Sequence, residues 1–193
     1  MLRLCCLCGQ NQKILCSQAK FLCHACIEKL EPSQQIFYSG SSLYRYNSSM
    51  RKLIRRAKIY GDLRVVRCLI HLFLNHDKIR FLERQKFQIT PIPSSFWSRW
   101  RAKTDLAWLF AFYLAQKFSL RFQEAPFSLY WRIKKRSFQQ ERCRMLLNFL
   151  DRSAPISTLL IDDVVTSGYS LKRTERSLKD KNCFFLTLSE AYR

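Results

Sequence analysis

The chain has 193 residues, of which 48% are hydrophobic and 14% aromatic, a composition that indicates a folded globular protein and excludes a disordered one. Thirty-four Lys and Arg against fourteen Asp and Glu give a formal net charge of +20. Such a charge attracts nucleic acid, anionic membranes or phosphorylated small molecules, although it also describes a solvated basic surface. The length allows one domain with a full core and a small appendage.

The N-terminal sequence does not have the pattern of a secretory signal, because Met1-Leu2-Arg3 runs directly into cysteines. The longest apolar run, at 106–115, is about half as long as a membrane-spanning helix requires. We therefore expect a soluble, cytoplasmic protein without a membrane span. Nine cysteines in a cytoplasmic chain favour metal binding over disulfides.

Residues 1–30 hold six of these cysteines, and four of them form two Cys-x-x-Cys knuckles: Cys5, Cys8, Cys23 and Cys26. Four thiolates at this spacing can close a tetrahedral Zn²⁺ site, which a module too small for its own core needs in order to fold. The pattern therefore predicts a structural zinc module. The alternative is a set of small buried hydrophobic residues. Cys6, Cys16 and His24 are candidate substitute ligands, and His24 is better explained as an exposed bystander.

Residues 31–42 contain a Pro, a Gly and several Ser, which predicts a linker with a short strand at its centre. We assign the zinc module to 1–30 and the main domain to 43–193. A strand of that domain is expected to begin at 43–46.

Helical spacing of apolar residues then predicts an amphipathic helix over 48–59, capped by Ser48 or Ser49. Its other faces carry five cations: Arg51, Lys52, Arg55, Arg56 and Lys58. Such a face binds phosphates or is simply solvated. Gly61 ends this helix, and a largely apolar helix is predicted over 63–74.

The segment at 87–93 predicts a strand that ends in Pro91-Ile92-Pro93, because proline cannot donate to a strand ladder. Cations alternate with aromatic residues in the following ten positions: Phe96, Trp97, Arg99, Trp100, Arg101 and Lys103. This pattern suits stacking on nucleic-acid bases, a loop that closes over a phosphorylated substrate, or packing against the next helix. That helix, over 104–118, is apolar on nearly all sides and is expected to cover a sheet.

Residues 158–170 have the most informative pattern in the chain, T-L-L-I-D-D-V-V-T-S-G-Y-S. A short apolar run that contains Asp162 and Asp163 predicts a buried strand with two carboxylates at its carboxyl end. Burying these acids is costly unless something pairs with them. A hydroxyl- and glycine-rich turn follows and leads into a helix at 169–180, whose unpaired N–H groups favour a phosphate. The plainer alternative is an Asp-rich turn before an ordinary capped helix.

One more buried strand is predicted at 182–188. Strands that alternate with helices indicate an α/β fold, in which a mostly parallel sheet has helices on both faces. Ligands of such sheets bind outside the carboxyl ends of the strands, where Asp162 and Asp163 are expected. Residues 119–152 give no clear pattern.

The 158–170 stretch resembles the phosphoribosyl-pyrophosphate (PRPP) loop of type I phosphoribosyltransferases. The resemblance implies a PRPP site with Mg²⁺, formed by Asp162, Asp163, Val165, Thr166, Ser167, Gly168, Tyr169 and Ser170. It also implies a pyrophosphate-facing loop at Pro91, Ile92 and Pro93.

Nearly the whole chain resembles the ComF family, which joins a four-cysteine zinc module to a phosphoribosyltransferase-like domain and is associated with DNA uptake and competence. The cysteine knuckles, the Lys58-Ile-Tyr-Gly61-Asp62 helix end, the P-x-P strand end and the acid loop carry this resemblance. The sequence departs from the family at 102–105, where Ala-Lys-Thr-Asp replaces the usual Gly-Phe-Asn-Gln.

The resemblance implies one of two functions. The first is a phosphoribosyltransferase, in which Asp162 and Asp163 hold PRPP with Mg²⁺ while Arg99 and Arg101 stabilise the leaving diphosphate. The second is a non-catalytic, basic adaptor that binds single-stranded DNA and contacts DNA-uptake proteins, with a regulatory or vestigial PRPP site. An affinity for single-stranded DNA that falls steeply as the salt concentration rises would distinguish the adaptor from the enzyme.

Overall fold

The computed structural model describes residues 4–11, 21–34, 36–37, 40–84, 86–93, 101–124, 157–165 and 183–191. In these ranges the helical elements are α1 (His24–Ile27), α2 (Ser48–Arg55), a π-helix (Arg56–Tyr60), α3 (Leu63–Leu74), a 3₁₀ helix (Asp77–Arg84) and α4 (Leu106–Phe118). The strands are β1 (Ile36–Phe37), β2 (Gly40–Arg45), β3 (Phe87–Pro91), β4 (Arg121–Phe122), β5 (Ser157–Val165) and β6 (Cys183–Glu190).

The described strands form one sheet in the order β1-β2-β6-β5-β3-β4. The edge strand β1 is antiparallel to β2, and the other five strands are parallel. The long strand β5 lies at the centre of the sheet, between β6 and β3. The predicted α/β class with a mostly parallel sheet is therefore confirmed for the described residues.

The core joins this sheet to three helices. Alternate residues of β3, β5 and β6, including Ile89, Ile161 and Leu188, are fully buried in one cluster with α2, α3 and α4. Phe73 of α3 stacks on Phe110 of α4, with ring centroids 4.6 Å apart. The α4 helix packs on β3 and β5, as its apolar surface predicted. The sequence also predicted helices on both faces of the sheet, and one of the predicted helices, at 169–180, lies outside the described residues.

The predicted amphipathic helix over 48–59 changes its winding partway along. It begins as α2, and a π-helix follows over Arg56–Tyr60, one residue beyond the predicted end. A wider turn of this kind is often found at functional sites. The predicted cap at Ser48 or Ser49 is wrong, because the side chain of Asn47 accepts the hydrogen bond from Met50 N at 3.0 Å.

Several other elements match the sequence prediction closely. The helix over 63–74 is confirmed as α3, with Asp62 as its cap. The strands predicted at 87–93 and 182–188 correspond to β3 and β6. Residues 31–42, predicted as a linker, contribute β1 and the first residues of β2, and the division at 1–30, 31–42 and 43–193 stays a prediction.

Candidate functional site

The acid pair, Asp162 and Asp163, lies near the carboxyl end of the central strand β5. Each of these residues exposes only 5% of its surface. Asp162 Oδ1 accepts a hydrogen bond from Asp163 N at 2.8 Å, and Asp163 Oδ1 accepts one from Val164 N at 2.9 Å. The sequence prediction of a buried pair of carboxylates at this edge of the sheet therefore holds in the structure.

Lys58 supplies the positive charge that the buried acids require. Its ammonium forms an ion pair with Asp163 Oδ2, from the middle of the π-helix. The sequence pattern placed Lys58 on a basic helix face and indicated no role for it at the acid pair. Two features of the sequence could have pointed to Lys58. Two buried carboxylates need a positively charged partner, and Lys58 is the first residue of the Lys-Ile-Tyr-Gly-Asp helix end.

The ion pair stabilises the charged form of both partners: it lowers the pKa of Asp163 and raises the pKa of Lys58. Burial alone would raise the pKa of Asp163, but Lys58, the Asp162 side chain and Val164 N outweigh it and hold the pKa below its usual value. Burial alone would lower the pKa of Lys58, and the negative charges of Asp163, Asp162 and Asp105 raise it instead. Both groups are therefore charged at neutral pH.

The predicted pyrophosphate loop lies directly beside the acid pair. Pro91 is the register partner of Ile161, and Ile92 N donates to Ile161 O at 2.8 Å. Pro91, Ile92 and Pro93 are all buried. The structure thus brings the P-x-P strand end and the acid pair together at one edge of the sheet, as the parallel topology predicted.

The segment at 101–105 passes next to Lys58. Lys103 N donates to Lys58 O at 2.9 Å, and Asp105 is close enough to raise the pKa of Lys58. Arg101, predicted to assist catalysis, is exposed two residues before this contact. Arg99 lies outside the described residues, as do Thr166, Ser167, Gly168, Tyr169 and Ser170 of the predicted PRPP loop. Of that predicted loop set, Asp162, Asp163 and Val165 are described.

The four-cysteine cluster, Cys5, Cys8, Cys23 and Cys26, comes together as predicted. The sulfur atoms all lie within 4.8 Å of one another, and Cys8 Sγ is 3.9 Å from Cys23 Sγ. Four thiolates at a Zn–S distance of about 2.3 Å in a tetrahedron are separated by about 3.8 Å. The cluster is therefore close enough to hold a metal ion and is compatible with structural zinc.

The surroundings of Cys5 favour its thiolate, which is the form that binds metal. Burial works to raise the pKa of Cys5, but hydrogen bonds from backbone N–H groups, including those of Cys23 and Leu7, lower the pKa to about 6. The candidate substitute ligands Cys6 and His24 do not join the cluster in the described part of the chain. Cys6 shares a hydrogen bond with Cys68, and His24 is exposed and pairs with Glu28. Cys16 lies outside the described residues.

A basic cavity of about 580 Å³ lies along the exposed side of α2 and the π-helix. Four cations and two tyrosines line it, together with two polar residues of the α2 N-terminus: Tyr46, Asn47, Ser48, Arg51, Lys52, Arg55, Arg56 and Tyr60. Four of the five cations that the sequence placed on this helix thus share one surface. The fifth, Lys58, is turned to the acid pair.

The sequence patterns also gave no indication of Glu190, at the end of β6. Glu190 is the register partner of Val165 and exposes only 3% of its surface. Its Oε1 accepts a hydrogen bond from Ser33, and burial raises its pKa. The 182–188 strand prediction ended two residues before this carboxylate, so the pattern gave no reason to consider it.

The magnesium prediction does not fit Asp163 as the structure has it. Asp163 Oδ1 already accepts a hydrogen bond from Val164 N and Oδ2 is ion-paired with Lys58, whereas Mg²⁺ needs a carboxylate oxygen at about 2.1 Å. At this site Asp163 is therefore already paired with a cation, Lys58.

Compared with protein-family models and with curated proteins, the chain matches none. Among the described residues, no helix has the length and apolar character that crossing a membrane requires.

Proposed function

We propose that the chain binds a phosphorylated ribose, such as PRPP, at the carboxyl edge of its parallel sheet, in a domain with the type I phosphoribosyltransferase fold. The observation that carries this proposal is the buried acid pair beside the P-x-P strand end. Carboxylates at this edge accept hydrogen bonds from ribose hydroxyls. The turn at 166–170, which the sequence predicts as a phosphate cradle, follows β5 directly.

Transfer of the phosphoribosyl group is the reaction that this site would serve. A nucleophilic atom of the acceptor would bond to the anomeric carbon as the bond to diphosphate breaks. The negative charge that develops on the departing diphosphate would be stabilised by cations, with Arg101 at the site's edge as one candidate. Lys58 would keep the acid pair in a fixed position beside the ribose. Mg²⁺ would supply charge neutralisation of the diphosphate.

Thermal unfolding with and without PRPP and Mg²⁺ tests the binding proposal. At a ligand concentration of about 100 times Kd, we expect the Tm of a chain this size to rise by roughly 5–10 °C. Asp162→Asn should abolish this rise. Asp77→Asn is the matched control, because Asp77 is an exposed acid in a surface pair with Arg80. A wild-type Tm that does not respond to saturating PRPP would contradict the proposal.

The four-cysteine cluster is proposed to hold one structural Zn²⁺. Its two knuckles enclose a small segment, and such modules gain most of their folding free energy from the metal. The measurement is the zinc content of the purified chain, with one ion per chain as the expected result. Cys8→Ser should lose that ion. Cys183→Ser, which changes a cysteine of β6 outside the cluster, should retain it.

A second function is favoured by the basic cavity. Three exposed cations of the cavity, Arg51, Lys52 and Arg55, can contact phosphates, and its two tyrosines offer stacking surfaces; single-stranded DNA uses both together. This supports the alternative of an adaptor that binds single-stranded DNA. Its role in DNA uptake, in the cytoplasm and with DNA-uptake proteins as partners, is proposed on the family resemblance alone. The logarithm of the affinity for single-stranded DNA should fall linearly with the logarithm of the salt concentration. The Arg51→Glu, Arg55→Glu double variant should make this dependence less steep, by about 0.7 in the slope per lost phosphate contact. Arg80→Glu, outside the cavity, is the control.

A further inference from the structure

The ion pair between Lys58 and Asp163 has a consequence for metal binding at the acid pair. The Asp163 carboxylate is almost fully buried, and its two oxygens are used differently: Oδ1 accepts from Val164 N, and Oδ2 contacts the Lys58 ammonium. The Lys58 side chain is itself 37% exposed. The ammonium therefore occupies the Oδ2 side of the carboxylate.

The backbone around Lys58 is fixed on both sides. Lys58 O accepts a hydrogen bond from Lys103 N at 2.9 Å, which ties the π-helix to the 101–105 segment. Gly61 ends the π-helix in a left-handed conformation, with φ at +64°, and the Lys103 side chain packs against it. These two contacts hold the Lys58 backbone in place, and the ion pair with Asp163 holds its ammonium.

A divalent cation would have to take the same place. Mg²⁺ and Mn²⁺ coordinate carboxylate oxygens directly at short distances. The Lys58 ammonium already contacts Oδ2, the Asp163 oxygen that does not accept from Val164 N. A metal ion beside it would add like charge at close range. The positive charge of Lys58 also offsets the negative charge of Asp163, which further weakens the attraction of this carboxylate for a divalent ion.

We propose that Lys58 is the resident counter-ion of the acid pair and excludes divalent cations from Asp163. A divalent ion that acts at this site therefore arrives on the phosphates of the ligand and is not held by the protein beforehand. This inference deepens the proposed function, and its meaning for catalysis rests on that function. The ion pair itself does not depend on the proposed function, so the test below contains no ribose phosphate.

The test measures Mn²⁺ binding to the purified full-length chain by the electron paramagnetic resonance signal of free Mn²⁺. We expect wild-type protein and Asp163→Asn to bind Mn²⁺ equally weakly. Lys58→Met should bind at least about tenfold more tightly, because it frees the buried Asp163 carboxylate as a ligand. The Lys58→Met, Asp163→Asn double variant should lose this gain. Lys58→Arg should behave as wild type, since it restores the cation.

Two controls separate this result from general effects. Lys52→Met removes a lysine of α2 in the basic cavity and should leave Mn²⁺ affinity unchanged. Circular dichroism establishes that each variant is folded. A folded Lys58→Met protein without the gain would overturn the proposal.

The comparison of wild type with Asp163→Asn does not need Lys58→Met to fold. If Asp163→Asn weakens Mn²⁺ binding, Asp163 already holds the metal in the wild type, and the proposal is wrong. Failure of the Mn²⁺ test would not contradict PRPP binding, because the thermal-unfolding experiment measures PRPP binding separately.

Discussion

The guanidinium of Arg56 donates a hydrogen bond to the carbonyl oxygen of Cys6, fifty residues earlier in the chain. The same guanidinium pairs with Asp62, the cap of α3. One residue of the π-helix therefore joins the loop of the first cysteine knuckle to the main sheet domain. Lys58, two residues further on, contacts the acid pair.

Arg56→Ala should destabilise the chain by about 1.5–3 kcal/mol, because hydrogen bonds that involve a charged group contribute this much. Urea unfolding of the zinc-loaded protein measures the change. Arg80→Ala is the matched control: Arg80 forms an exposed pair with Asp77, which should contribute less than about 1 kcal/mol. Equal effects of the two variants would show that Arg56 does not hold the modules together.

Removal of zinc should weaken the chain beyond the cysteine module. Chelation frees the knuckle loop that Arg56 binds, so hydrogen exchange should increase in the π-helix and in α3 as well as at 4–11 and 21–30. Exchange at β3, which takes no part in the Arg56 contacts, should change least. Exchange confined to the cysteine module would show that it is not coupled to the helices.

Gly61→Ala should cost about 1–2 kcal/mol, since alanine is strained at a positive φ. A Cβ at this position would also meet the Lys103 Cβ at 3.1 Å, which pushes on the segment that fixes Lys58. Gly9→Ala separates the two effects, because Gly9 also has a positive φ, +76°, but a Cβ added there would meet no atom of the described residues within 4 Å. We therefore expect Gly61→Ala to be the more damaging substitution by thermal unfolding.

Asp163 should stabilise the fold at neutral pH and lose this effect in acid. Its pKa in the folded chain lies below the unfolded value of about 3.9, so the stabilisation is present above that value and disappears as the pH falls through the folded pKa. The difference in unfolding free energy between wild type and Asp163→Asn should therefore shrink below about pH 4. A difference that is independent of pH would contradict the ion pair.

Glu190 should have the opposite dependence, because burial raises its pKa. The folded chain then binds its proton more tightly than the unfolded chain, so stability falls as the pH rises through the unfolded value of about 4.3 toward the folded pKa. Glu190→Gln removes the ionisation while it keeps the shape of the side chain. We expect it to raise the Tm at pH 8 and to leave the Tm nearly unchanged at pH 4.

Local patterns predicted much of this fold. The spacing of apolar residues located α3 and α4, and the flanking prolines located the end of β3 beside Ile161. The acid pair followed from two aspartates at the end of a buried apolar run. Each of these features depends on neighbours in sequence, which explains why the sequence alone was sufficient.

Contacts between distant segments could not be predicted in the same way. The pairing of Lys58 with Asp163 joins residues more than a hundred positions apart, and the winding change at Arg56 has no sequence signature. Asn47 was missed as a cap because two serines follow it and fit the same role. Glu190 lies beyond the apolar run that marked its strand, and its burial depends on Ser33 from the other end of the chain.

Calorimetric titration of PRPP with Mg²⁺ most directly tests whether the acid pair is the ribose-phosphate site. Three proteins are compared: wild type, Asp162→Asn, and the Lys58→Met, Asp163→Asn double variant, which removes the ion pair without leaving either charge buried alone. We predict saturable binding to the wild type with one site per chain, and a large loss of affinity in both variants. Binding that is equally tight in all three proteins would show that the ribose phosphate binds elsewhere.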